Sequence, residues 1–97
     1  MLKKFTVWVR EQENSLKYFF EVEIVEFDNY FTKINLGTNL YLSQIIFWEN
    51  HNLYEAEILE IQSGETIFIQ SGECGSEANF IDLFSDFFAQ MGYKFND

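Results

Sequence analysis

Residues 45–70 read IIFWENHNLYEAEILEIQSGETIFIQ, and this stretch decides the fold. Its apolar runs, 42–48 (LSQIIFW), 53–61 (LYEAEILEI) and 66–70 (TIFIQ), are strand-length and rich in β-branched and aromatic residues. ENHN at 49–52 and QSGE at 62–65 have the composition and length of hairpin connections. Links this short make successive strands antiparallel neighbours. The first run is apolar at both parities, which suits a strand covered on both sides or lying at the sheet centre. Working outward, Phe20, Val22 and Ile24 alternate with Glu21 and Glu23, and FTKINL at 31–36 forms a weaker alternating run. Four or five antiparallel strands result.

Helices are expected at both ends. Phe80, Ile81, Phe84, Phe87, Phe88 and Met91 fall on one helical face, so the pattern predicts a helix over 76–91, with Ser76 as N-cap and Gly92 as its stop. Near the N-terminus, Phe5, Val7 and Val9 alternate like a strand, while Leu2, Phe5, Trp8 and Val9 fit helical spacing. The polar run REQENS that follows continues a helix better than a strand, and helix is the reading adopted for this segment. The fold class is α+β: an antiparallel sheet with an N-terminal and a C-terminal helix packed on one face. The other face is expected to be partly solvated and acidic. The fourth strand leaves two readings open. Strict alternation puts Glu55 and Glu57 on one face and Glu60 on the other; a bulge near Ile58–Leu59 would bring all three carboxylates outside.

Ninety-seven residues form a single domain, 1–97, that buries about 60–65% of its unfolded surface. Twelve phenylalanines help so small a chain build a core. A lone cysteine, Cys74, excludes an internal disulfide and favours a reducing compartment. Apolar residues after the N-terminal lysines are cut off by Arg10 and Glu11, too early for a signal peptide, and no window is apolar enough to span a membrane. The expected location is cytoplasmic.

Charge is the main functional clue. Net charge is −10, and from Ile34 to Tyr93 there is no lysine or arginine, against nine carboxylates. Such a chain repels nucleic acid and anionic membrane and attracts basic partners. Catalytic readings are weak beside it. His51, in the ENHN turn, has no His or Cys partner for a metal site, and Cys74 lies among acidic neighbours that oppose a thiolate. Glu21/Glu23 and Glu55/Glu57 are spaced i, i+2 along strands, so each pair shares one face instead of flanking a cleft as glycosidase carboxylates do. There is no calcium-loop motif or phosphate-binding glycine loop. No enzyme activity, cofactor or metal is expected. Trp8 and Trp48 are most simply core residues. Charge by itself leaves solubility and recognition of a basic protein equally open.

Three patterns tip that balance. They are the opening segment with Trp8 leading to YFFEVEI (18–24), the double hairpin of 45–70 with its strand ending in Trp48, and the closing EANFIDLFSDFFAQM (77–91). Together they resemble the small immunity proteins of bacterial polymorphic toxin systems, nearest to the TriTu type and more loosely the Maf type. That resemblance implies a protein that binds and blocks a cognate toxin, many such toxins being nucleases, with no catalytic residues to carry over. From the strand-face argument, Glu21, Glu23, Glu49, Glu55, Glu57 and Glu60 are the expected partner-binding carboxylates, with Trp48 and Tyr54 as aromatic anchors. The alternative is a phage-type acidic inhibitor or DNA mimic acting on a host nuclease or CRISPR effector. A homodimer is permitted and not required.

Overall fold

The computed structural model describes residues 1–95; the last two residues of the expected domain, 96 and 97, lie outside the described residues. One long helix, α1 (Leu2–Leu16), is followed by five strands, β1 (Glu21–Phe27), β2 (Phe31–Gly37), β3 (Tyr41–Trp48), β4 (Leu53–Glu60) and β5 (Glu65–Glu73), and by two short helices, α2 (Phe80–Leu83) and α3 (Ser85–Gln90). The strands form one antiparallel sheet in the order β1-β2-β3-β4-β5. Every neighbour in space is thus a neighbour in sequence, as the short turns require. β3 is the central strand.

Pairing and burial together identify the two faces. Thr32, Ile34 and Leu36 of β2 lie opposite Phe47, Ile45 and Ser43 of β3, which lie opposite Tyr54, Ala56 and Ile58 of β4. All nine are buried and define the inner face. α1 packs on it over β1, β2 and β3, and α3 over β4 and β5. The N-terminal segment is helical because Leu2, Phe5, Val9 and Leu16 form one stripe, all buried. Phe5 joins the layers: it stacks on Phe47 with 5.1 Å between centroids and meets Phe80 and Phe84 edge-on at 5.6 and 6.1 Å. The inner-face hydroxyls are paired, Thr32 with Thr6 at 2.6 Å and Ser43 donating to the Leu36 carbonyl at 3.0 Å.

The C-terminal helix begins later than expected. Gly75 and Ala78 close a turn around Ser76, and the cap is Asn79, whose Oδ1 accepts from the Ile81 and Asp82 amides at 3.0 and 3.2 Å. The helix also divides at Phe84, where φ is −106° and ψ 10°. The predicted stripe survives the division: Phe80, Phe84, Phe87, Phe88 and Met91 are buried, and Ile81 is half-buried. Gly92 ends the segment as predicted. Its φ is 80°, and the Gly92 and Tyr93 amides donate back to Ala89 and Phe88, a Schellman closure.

A register irregularity does occur at Ile58/Leu59, but the extra residue is on the partner strand. Ile58 faces Phe68 and Leu59 faces Thr66, which leaves Ile67 of β5 unpaired, while β4 stays in step with β3 throughout. β4 therefore alternates strictly. Glu60, opposite Tyr41, is on the inner-face side, away from Glu55 and Glu57.

Candidate functional site: the outer face of the sheet

With α1 and α3 packed on the inner face, the opposite face has no layer over it among the described residues. Its residues follow from the register in rows across the sheet. Glu21, Gly37, Leu42, Leu59 and Thr66 form one row, and Glu23, Asn35, Gln44, Glu57 and Ile69 the next. Val25, Lys33, Ile46, Glu55 and Ser71 follow, and Phe27, Phe31 and Trp48 end the face on the first three strands, with the Leu53–Glu73 pair on the last two. The face thus carries Glu21, Glu23, Glu55, Glu57 and Glu73 against a single cation, Lys33. It is also more apolar than expected: Phe27, Leu42, Leu53 and Ile69 are exposed, Ile69 to 66%.

The first two rows form an open groove of about 570 Å³. Leu42 and Leu59 line its middle, with Glu21 and Glu23 on one side and Glu57 on the other. Gly37 keeps it open, because a side chain there would touch Glu21 and Leu42. Two amides orient the carboxylates: Asn35 Nδ2 donates to Glu23 Oε1 at 2.8 Å, and Gln44 Nε2 to Glu57 Oε1 at a longer 3.4 Å. Lone pairs on both remain free to accept from a bound cation.

At the other end lies an aromatic cluster that the sequence reading missed. Phe27 stacks on Tyr30 and on Phe31, at 5.7 and 5.5 Å, and Trp48 faces Phe31 across the ladder. Phe27 is 52% and Tyr30 65% exposed. The signal was FDNYF at 27–31, aromatics flanking a turn, which has no helical or strand period to expose it. The Glu49 amide donates to the Tyr30 carbonyl at 2.8 Å, so the β3–β4 turn borders this cluster.

Of the eight sequence-predicted contact residues, Glu21, Glu23, Trp48, Glu55 and Glu57 share this face, and Glu49 lies exposed at its end. Tyr54 does not belong with them. It is 8% exposed on the inner face, edge-on to Phe84 at 5.6 Å, because strict alternation of β4 sends it into the core. Glu60 is excluded for the same reason. Trp8, expected in the core, packs against Phe5, Phe80 and Phe84, whereas Trp48 is half-buried on the open face.

The nucleophile and metal candidates are poorly placed for chemistry. Cys74 is buried beneath the β3–β4 turn, its amide donating to the Asn52 carbonyl at 2.9 Å. Burial pushes its thiol pKa up, away from a reactive thiolate. His51 is exposed in the turn at φ 58°. Among the described residues no three His, Cys, Asp or Glu side chains gather as a metal site, and no helix is long and apolar enough to cross a membrane.

The outer face is thus open and carries both glutamates and exposed aromatic residues. Residues 3–90 match the family described as Immunity protein TriTu. The chain belongs to the TriTu immunity protein family. No curated protein matches it. The match covers α1 except Leu2, the whole sheet and both C-terminal helices, so the TriTu assignment concerns the entire framework that presents this face. An immunity protein acts by neutralising a cognate toxin, which assigns this TriTu chain a role in binding toxin.

Proposed function

We propose that the chain neutralises a cationic toxin domain, a nuclease, by laying the outer sheet face over its basic cleft. The observation that carries this reading is the charge of that face, five glutamates against one lysine, with Glu23 and Glu57 oriented by neighbouring amides. Nuclease clefts hold Lys and Arg where substrate phosphates lie, and carboxylates at similar spacings compete for them. Glu21, Glu23, Glu55 and Glu57 pair with those cations, Glu49 adds charge at the rim, and Trp48 with its aromatic neighbours buries apolar surface beside them. Leu42, Leu59 and Ile69 interrupt the carboxylates, which favours a specific protein interface over a DNA mimic that would need an unbroken run of charge.

Co-expression with a cognate toxin domain is the test. Cells should survive, and the purified pair should be a one-to-one complex lacking nuclease activity. Unprotected cells in the presence of folded chain would overturn the reading.

A further inference from the structure

The sheet has two edges, and they differ. On β1, Glu21, Glu23 and Glu26 place three charges in seven residues, and two are already engaged: Glu26 with Arg10 of α1 at 2.7 Å and Glu23 with Asn35. Charges of this kind protect an edge strand from pairing. β5 has no such guard. Between Glu65 and Glu73 its residues TIFIQSG carry no charge and no proline. Among the described residues no backbone hydrogen bond outside the ladder reaches 66–73, so the alternate amides and carbonyls that point away from β4 are unpaired. The unpaired Ile67 kinks only the start of the strand and leaves Phe68–Glu73 in regular register with β4. On the inner side Gln70 Nε2 donates to the Leu83 carbonyl at 2.8 Å, which holds this half of the strand against α2.

Side chains on the outer side of this edge indicate what would pair with it. A strand added beside β5 would lie about 10 Å from β4, two strand spacings away. Ser71 is the small residue between that position and Glu55, so a long cationic side chain opposite Ser71 reaches across it to Glu55. A cation opposite Glu73 meets that carboxylate directly, and an apolar side chain opposite Ile69 covers a residue now 66% exposed. A second copy of this chain would instead bring another net charge of −10 to the same edge.

We propose that the β5 edge over Phe68–Glu73 accepts an extended segment of a cationic protein as an added strand, with basic side chains opposite Ser71 and Glu73 and an apolar one opposite Ile69. The inference rests on the reading that the partner is cationic, and names the kind of toxin segment that would dock at this edge. Its test uses the full chain, isotope-labelled, with two peptide probes: acetyl-Thr-Arg-Thr-Arg-Thr-Val-Thr-amide and the same peptide with Glu for Arg. The basic peptide should slow amide exchange at alternate residues of 68–73, leave 21–27 unchanged, and bind at least about tenfold more tightly than the acidic one. Protection on β1, protection on neither strand, or equal binding of the two peptides would overturn the proposal. So would a dimer of the chain alone with β5 already protected, which would assign the edge to a second copy. Because the peptides involve no toxin, rescue of cells without β5 protection removes this inference alone, and β5 protection without rescue removes the toxin reading alone.

Discussion

Glu57 and Glu60 are three residues apart on one strand and face opposite ways, so reversing each charge separates the outer face from the rest of the acidic surface. Consider Glu57→Lys. Within the chain its nearest carboxylates across the groove are on β1, three strand spacings or about 14 Å away, where a unit charge in water is worth only about 0.3 kcal/mol. The hydrogen bond lost from Gln44 is long, 3.4 Å, and a net contribution below about 1 kcal/mol is expected from it. The fold should therefore lose less than about 1 kcal/mol, a Tm change within about 8 °C for a domain of this size. Against a toxin cation at about 4 Å the same change is larger. One charge pair is worth about 1 kcal/mol in water and about 4 kcal/mol at the lower effective dielectric near a protein surface, and reversal replaces attraction by repulsion, about twice that. With solvent screening the lower end applies, about 2 kcal/mol, or roughly a 30-fold rise in Kd. Glu60→Lys should leave Kd within about threefold. Calorimetric titration with the toxin domain at about 0.1 M salt measures both, and a repeat near 1 M, where the Debye length is about 3 Å, should shrink the Glu57 effect. A folded Glu57→Lys chain with wild-type affinity, or equal losses for the two variants, would refute the assignment of the outer face.

Two further outcomes test the framework. Asn79→Ala should destabilise the chain by about 1 kcal/mol through loss of the α2 cap, and Ser76→Ala should change stability by under about 0.5 kcal/mol; urea unfolding midpoints of the two variants decide this. Burial raises the Cys74 pKa, so the thiol favours its neutral form in the folded chain: this contribution to stability is complete below the unfolded thiol's pKa and is lost as pH rises through the folded value. Alkylation by iodoacetamide near pH 8 should accordingly run at least about tenfold slower on native than on urea-unfolded chain, and equal rates would contradict the placement of Cys74.

Much of this molecule was legible from local pattern. Helical spacing of Leu2, Phe5 and Val9, the stripe Phe80–Met91, and the short polar turns at 49–52 and 62–65 each depend on a few neighbouring residues, so α1, a helical C-terminal segment (though not its division at Phe84) and an antiparallel meander followed from the chain alone. So did the acidic character, since charge is composition. What pairing decided was less legible. The irregularity at Ile58/Leu59 was visible as a conflict in the pattern, but which strand absorbs the extra residue depends on the register of both; β5 took it at Ile67, and Glu60 thereby left the outer face, whereas Tyr54, next to Glu55 and before the irregularity, faces inward in either case. The α2 cap passed from Ser76 to Asn79 because a turn closed by Gly75 and Ala78 intervenes. The aromatic cluster of Phe27, Tyr30, Phe31 and Trp48 exists only because β2 pairs with both β1 and β3. Sequence determined which residues are charged, apolar or turn-forming, because those are properties of side chains; tertiary structure decided which of them face the same way, because a strand's two faces are distinguished only by what packs on one of them.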